Sequence, residues 1–453
     1  MSHFADAEIE LPSVGDLPSV AALPDPFLFM NGSAVQSAQD WSLRREELLA
    51  LVQYYVFGYR PKPESVTFET SPSPADNLTV TMKQGGREAA IHATVFVPKR
   101  GTDTSIEGPY PALIVIGGIT EAQRSELLSN GYAVIQLPAA QIYSDNASRT
   151  GAYTTLFPYE EGDYEADSGA LMAWGWGVSR VLDALEMGAF PDIDPKKAIV
   201  TGLSRFGKAA LLAGAFDRRI AVTVPVDSGQ AGASGFRYNV EGRIYGYTGQ
   251  PFEGGHKRSE KISNMTGSLR HWFSSRIAEF AGREDKLPFD SHSVMALVAP
   301  RPLLIFAGEE FDWLSPTSAA VSYTAAKEVY EFLNAGDAIG LNIRKGPHEI
   351  LDRDIAIMID FCNHALRGAE LQLSKDKFPF ADTYNDSPYP IDSSYIPWSR
   401  PGKHTISTAT EQIVAGMPAD VTAYSDAESV TLEIPGGKLP SVTVPVADGK
   451  AVF

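Results

Sequence analysis

The sequence of 453 residues holds a single cysteine, Cys362, so no disulfide can form within the chain and no thiolate cluster can hold a metal. Positive charge is also scarce. Against 56 Asp and Glu stand only 38 Lys and Arg, a formal charge of −18. Such a surface repels phosphate backbones and anionic lipid headgroups, which argues against nucleic-acid and membrane partners. No apolar run approaches the ~18 residues that a membrane-crossing helix needs. The opening Met1-Ser-His-Phe-Ala-Asp-Ala-Glu-Ile-Glu10 has neither the basic start nor the apolar stretch of a secretory leader, so none is expected. The patterns H-E-x-x-H, C-x-x-C and G-x-x-x-x-G-K-[ST] are missing as well. Zinc-protease, thiol-redox and P-loop chemistry therefore find no support, and no metal or organic cofactor is expected.

What the chain does have is material for a large core, with 44% hydrophobic and 10% aromatic residues. Residues 1–39 are rich in Pro, Ser and acidic side chains and read as a segment that wraps a surface. Asp40–Tyr59 carries the spacing of an amphipathic helix (Trp41, Leu48, Leu49, Val52, Tyr55, Val56). Ser65–Thr70, Leu78–Lys83 and Ala90–Pro98 alternate polar and apolar residues, as half-exposed antiparallel strands do.

After Pro109 the rhythm changes to short continuous apolar runs at Ala112–Ile116, Tyr132–Leu137, Ala198–Gly202, Ala221–Pro225, Pro302–Ala307 and, more weakly, Leu341–Arg344. Helical patterns separate them, notably Ala170–Met187 and Lys208–Ala215. Buried strands alternating with helices predict an α/β domain over 40–368 with a mainly parallel sheet. Residues 369–402 read as a surface loop and 403–453 as a small β-rich appendage, with strands at Asp420–Tyr424, Ser429–Ile434 and Ser441–Val446.

The sharpest local feature is Ile199-Val-Thr-Gly-Leu-Ser-Arg-Phe-Gly-Lys208, a buried strand running through Gly-x-Ser into a helix. A nucleophile on such a turn sits at a strained backbone angle, exposes its Oγ and faces helix N–H groups that can hold an oxyanion. The motif departs from G-x-S-x-G, since Phe206 stands where the second glycine belongs and Gly207 follows it. The competing reading makes Ser204 an ordinary helix N-cap.

Of the eight histidines, His348 has the chain position of a general base, in the loop Arg344-Lys-Gly-Pro-His-Glu349 between a strand and the helix pattern at Arg353–Leu366. His292 reads as a buried structural hydrogen-bonder, and His271, beside Trp272, as a pocket-lining residue. Two acids can orient the base. Asp227 ends the run at Val222–Val226, and Asp312 follows the one at Leu303–Ala307.

Several ordered motifs resemble the glucuronoyl esterases of carbohydrate esterase family 15. They are Gly-x-Ser-Arg-x-Gly-Lys at 202–208, Met172-Ala-Trp-Gly-Trp-Gly-Val-Ser-Arg180, Val224-Pro-Val-Asp-Ser-Gly229, His271-Trp-Phe273, Leu287-Pro-Phe-Asp-Ser-His-Ser293, Ala299-Pro-Arg-Pro-Leu303 and Asp312-Trp-Leu-x-Pro316. The resemblance runs from about Leu23 to Leu366. It implies an α/β-hydrolase fold, a serine esterase acting on uronate esters, and an extracellular or periplasmic setting.

It implies Ser204 as nucleophile, His348 as base and Arg205 as oxyanion stabiliser. It also implies an acid at Asp227, where the family often has the longer Glu, or at Asp312. Lys208, Trp313 and Glu260, with Trp272 alongside, fall near positions where the family binds the uronate sugar. Leu203 precedes the serine where fungal members carry a cysteine, which sets the chain nearer to bacterial members. The other readings are a carboxylesterase or acetylesterase for smaller esters, and an inactive carbohydrate-binding protein on the same scaffold.

Overall fold

The computed structural model describes residues 11–71, 76–98, 105–238, 260–308, 312–371, 393–402, 406–408, 422–425, 429–432, 442–445 and 450–452. It separates into two compact units, Met1–Trp398 and Ser399–Phe453.

The first unit is built on a nine-stranded sheet. Its strands are β1 (Ser65–Ser71), β2 (Asp76–Gln84), β3 (Arg87–Phe96), β4 (Tyr110–Ile116), β5 (Ala133–Leu137), β6 (Ile193–Leu203), β7 (Ile220–Val226), β8 (Leu303–Gly308) and β9 (Ile339–Arg344). The spatial order is β1-β2-β3-β5-β4-β6-β7-β8-β9. The first three strands and the β3–β5 pair are antiparallel, and every pair from β5 through β9 is parallel. The fold is an α/β hydrolase's mainly parallel sheet with an antiparallel edge.

Composition explains the division. All seven residues of β4 are buried, as a strand covered on both faces requires, whereas β1 alternates exposed and half-buried side chains.

Helix Ala170–Glu186 is buried almost all round, with Trp174 and Trp176 among its enclosed side chains. A helix apolar on every face belongs inside, and this one packs on the neighbouring helix Arg205–Phe216. The helix expected over Asp40–Tyr59 runs Ala38–Val52, capped by Ser37 and Asp40, and then widens into a π turn at Gln53–Phe57. Residues 11–37 lie against this unit. Val20 and Leu23 donate backbone hydrogen bonds to the carbonyls of Asp285 and Tyr395, and Phe27 and Val35 are buried.

Most of the loop expected over 369–402 lies outside the described residues, but Trp398 donates from Nε1 to Leu23 O at 2.8 Å. Among its described residues the second unit holds two small sheets, one of Ile406–Thr408, Thr422–Ser425 and Lys450–Val452, the other of Ser429–Leu432 and Val442–Pro445. Among the described residues no helix is long and apolar enough to cross a membrane.

Candidate active site

Because β6 to β9 are parallel, their C-terminal ends share one edge, and the loops leaving that edge carry the chemistry. Ser204 follows β6 and opens the helix Arg205–Phe216. Its backbone sits at φ 60°, ψ −123°, and its side chain makes no capping hydrogen bond. An N-cap serine would adopt an extended backbone and accept from the first turn. Ser204 does neither. It holds a conformation that costs on the order of 1–3 kcal/mol, the kind of strain found at functional turns.

The turn is held by a hydrogen bond from Ser204 N to Val226 O at 2.8 Å. Its sequence follows from close approach. A Cβ on Gly202 would meet Phe206 O at 2.6 Å, and one on Gly207 would meet Val226 O at 2.7 Å. The second obligatory glycine is therefore at 207. Phe206 has room for a ring, which packs edge-on to Trp174 with centroids 5.0 Å apart.

Asp227 leaves β7, also at positive φ (46°), and is 2% exposed. Its Oδ1 accepts from Gly308 N at 2.6 Å. Its Oδ2 accepts from Arg344 Nη2 at 3.2 Å and lies 3.3 Å from Nδ1 of His348. Arg344, the last residue of β9, is fixed by Asp354 Oδ2 at 2.8 Å through Nε and by Glu349 O at 2.5 Å through Nη2. Burial pushes the Asp354 carboxyl up against the opposing pull of the Leu351 N–H and Arg344. His348 is about a quarter exposed, at 26%. With Nδ1 turned to Asp227, proton transfer falls to Nε2.

Asp312 begins the 3-10 turn Asp312–Leu314 beyond β8, and its side chain lies outside the described residues. The structure thus brings one of the two candidate acids, Asp227, to His348.

Arg205, 43% exposed, pairs through Nη1 with Asp145. Asp145 Oδ1 also accepts from Trp272 Nε1 at 2.6 Å and meets His271 Nε2 at 2.9 Å. Burial disfavours the Asp145 carboxylate, but hydrogen bonds from His271, Trp272 and Arg205 outweigh it and hold the carboxyl well below the usual range. The Arg205 guanidinium lies 5.6 Å from the centroid of a Trp272 ring.

Lys208, one turn after Ser204, is 1% exposed. Its Nζ donates to Ser228 O at 2.7 Å, Gln230 O at 2.6 Å and Glu260 Oε2 at 2.9 Å. These three acceptors take the ammonium's three protons. Burial lowers its pKa, partly offset by Glu260. The backbone N–H of Glu260 donates to Trp313 O at 2.9 Å, and Lys208 Nζ lies 5.8 Å from a Trp272 ring centroid. Lys208, Glu260, Trp313 and Trp272 are therefore linked into one cluster beside the serine. What Lys208 presents there is a positioned carboxylate, whose Oε1 makes no hydrogen bond among the described residues.

Two other histidines have separate places. His292 is wholly buried, meets Pro24 O at 2.8 Å through Nε2, and has its pKa pushed down by burial to about 4. His271 is the ligand of Asp145 already described.

Sequence reading passed over Asp145 and Asp354 and treated Arg344 only as the end of a strand. Their partners stand at separations of 60, 10 and 117 residues respectively (Arg205, Arg344 and, for Arg344, Asp227), with no shared local motif.

Comparison with known proteins shows the family and the fold. A family model, that of the fungal glucuronyl esterases, matches residues 80–334, more than half of the chain. A 4-O-methyl-glucuronoyl methylesterase of Phanerochaete carnosa is 35% identical over 330 residues, which cover 72% of this chain and 75% of that protein. A multidomain esterase of Ruminococcus flavefaciens is 33% identical over 401 residues, 82% of this chain, and the match spans only 51% of its own length. Among solved structures, a carbohydrate esterase family 15 glucuronoyl esterase from Caldicellulosiruptor kristjansonii, a bacterium, superposes with a TM-score of 0.75 at 39% identity. That superposition covers 86% of this chain and 99% of the other. The chain belongs to the glucuronoyl esterases, carbohydrate esterase family 15.

Proposed function

We propose that the protein hydrolyses esters of glucuronic or 4-O-methylglucuronic acid through an acyl-enzyme on Ser204. The observation that carries the reading is that one helix turn, from Ser204 to Lys208, joins two groups. One is a strained serine on the edge that also bears the Asp227–His348 pair. The other is the cluster of Lys208, Glu260, Trp272 and Trp313 beside it. The names of the relatives support the same substrate class.

In the first step Ser204 Oγ attacks the ester carbonyl carbon and passes its proton to His348 Nε2. Asp227 holds the imidazole through Nδ1 and favours the imidazolium that forms. The carbonyl oxygen becomes an oxyanion, met by N–H groups at the start of the Ser204 helix and by the Arg205 guanidinium that Asp145 anchors. The intermediate collapses, the C–O bond to the alcohol breaks, and His348 returns the proton to the departing oxygen. A water then repeats the sequence on the acyl-enzyme and releases the uronic acid.

Glu260 Oε1 accepts from a sugar hydroxyl, and Trp313 and Trp272 supply apolar faces for the ring. The partner is a small or polysaccharide-borne uronate ester, with an alcohol of lignin type as the leaving group.

The test is turnover of benzyl glucuronate beside p-nitrophenyl acetate, for wild type and Ser204→Ala. Cleavage of the glucuronate by wild type, abolished in Ser204→Ala, supports the proposal. Cleavage of the acetate alone keeps the serine mechanism and removes the uronate. Cleavage of neither by folded protein leaves a carbohydrate-binding role.

A further inference from the structure

The motif ending at Arg180 contributes apolar residues to the core, but its last residue serves no step of the esterase reaction. At the edge opposite to Ser204, a cleft of about 430 Å³ opens between residues Arg60–Pro63, the last turns of helix Ala170–Glu186 and the turn that leads into β7. At ~3.3 Å per residue, the seven residues of β7 put it roughly 20 Å from the catalytic edge.

Four cations line this cleft, Arg60, Lys62, Arg180 and Arg219. Arg219 absorbs the nearby carboxylates, with Asp183 at 2.8 Å, Glu186 at 2.7 Å and Asp217 at 2.7 Å. Arg60 lies 3.9 Å from Asp217 and donates through Nη2 to Ser179 Oγ and through Nη1 to Phe216 O at 3.5 Å, which leaves its Nε. Four positive charges thus meet three negative ones, in a chain whose total is −18.

The pairing is also incomplete. Arg180 is 6% exposed and stacks on Trp176, with its guanidinium 5.1 Å from the ring centroid. Its Nε lies 2.9 Å from Asp183 Oδ2 without the alignment of a hydrogen bond, and its enclosed Nη1 has no acceptor. Nη2 makes no hydrogen bond among the described residues and, unlike the other two, is not enclosed. Nε of Arg60 is likewise enclosed without an acceptor. Lys62 is exposed at the mouth and has no ion-pair partner among the described residues.

A buried guanidinium with unmet N–H groups is costly, and its planar fork matches the two oxygens of an oxyanion. Pro61, Pro63, Val66 and Phe216 add apolar wall, enough to hold the carbon skeleton of a small organic acid.

We propose that this cleft is a second, non-catalytic site that binds a small oxyanion between Arg180, Arg60 and Lys62. The shared chemistry is that of a uronate carboxylate and of inorganic sulfate or phosphate. Binding is read directly, so the proposal stands or falls apart from the esterase reading.

The test is isothermal titration calorimetry on the full chain with sodium glucuronate, sulfate and phosphate, at an ionic strength held constant with sodium chloride. Wild type, Lys62→Glu and Arg180→Gln are compared. The expected result is saturable binding to wild type, weakened about tenfold or more in both variants, with benzyl glucuronate turnover unchanged in Lys62→Glu. Saturation by glucuronate alone assigns the site to organic acids, and saturation by sulfate or phosphate alone assigns it to inorganic ions. Either supports the site where Lys62→Glu weakens it, since glucuronate is also the product that the proposed reaction forms at Ser204. Absence of saturable heat with all three anions, or equal affinity in wild type and Lys62→Glu, overturns it. Lys62 is exposed, so this second criterion holds even where Arg180→Gln fails to fold.

Discussion

Replacing Asp227 by asparagine keeps the shape of the side chain and reverses half of its hydrogen bonding. In the native site Oδ1 accepts from Gly308 N at 2.6 Å, while Oδ2 faces Arg344 Nη2 at 3.2 Å and His348 Nδ1 at 3.3 Å. An asparagine whose oxygen stays on Gly308 turns its NH2 toward Arg344 and His348, donor against donor. The imidazole then either abandons the contact or shifts its proton to Nε2, and in that tautomer it cannot take the proton of Ser204. The corresponding swap in the serine-protease triad lowers kcat about 10⁴-fold. A loss of about 10³–10⁴ is expected here, or roughly 4–5.5 kcal/mol of barrier at ~1.36 kcal/mol per decade.

Folding suffers less. Arg344 keeps Asp354 at 2.8 Å and Glu349 O at 2.5 Å, so its charge is not left bare. The cost is about 1–3 kcal/mol, that of weakening one buried hydrogen-bonded contact. The assay is kcat and KM on benzyl glucuronate, with thermal unfolding to confirm the fold and Asp312→Asn measured in parallel. A folded Asp227→Asn enzyme with kcat within about tenfold of wild type would refute the reasoning. Collapse of activity in Asp312→Asn instead would move the acid to the neighbouring strand.

Asp145→Asn should release Arg205 and lower kcat more than it raises KM, because the guanidinium serves the oxyanion and not the ground state. Equal changes in both constants would contradict that role. The same carboxyl is held below its ordinary value of 3.8, so its stabilising effect is complete above that pH and is lost as the pH falls through the lower folded value. The stability gap between wild type and Asp145→Asn, followed by denaturant unfolding, should therefore be constant from neutral pH down to about 4 and narrow below it. A gap that widens on acidification would sink the argument. Lys208→Met leaves Glu260 buried without its counter-ion and should cost about 3–5 kcal/mol, with part of that recovered in the double variant Lys208→Met/Glu260→Gln. Strict additivity of the two changes would mean that the pair is not coupled. Gly207→Ala should give little folded protein, since the new Cβ would sit 2.7 Å from Val226 O, and wild-type expression and Tm would show that the turn relaxes more easily than this spacing allows.

The sheet was legible because a strand covered on both faces must be apolar at every position, and Ala112–Ile116 and Leu303–Ala307 are just that. The elbow was legible because a strand, a small residue, a serine and a helix follow one another within ten positions. Other features were not. The π turn after Val52 has no composition of its own, and the periodic apolar residues run through it as through a regular helix. The displaced glycine at 207 looked like a broken motif until the carbonyl of Val226 supplied its reason. A motif written as letters records which positions cannot carry a side chain in its best-known examples. What the fold imposes is the close approach of two backbones, and here β7 approaches one residue later.

The choice between two acids was hidden for a different reason. Asp227 and Asp312 follow adjacent parallel strands, β7 and β8, and chain order allows either to reach a base that follows β9. What favours Asp227 is Arg344, the last residue of β9. Its guanidinium spans Asp227 Oδ2 and Asp354 Oδ2 while holding the carbonyl of Glu349, the residue after His348. The same side chain thus fixes the acid and the loop that carries the base. No sequence pattern ties residues 227, 344, 349 and 354 together, because their contact exists only once β7 and β9 lie in one sheet with β8 between them. The register that aligns β8 with β9, Leu303 opposite Ile339 through Gly308 opposite Arg344, brings the Arg344 head level with the Gly308 N–H that grips the other oxygen of Asp227. Tertiary register, and not a local sequence pattern, sets Asp227 beside the histidine.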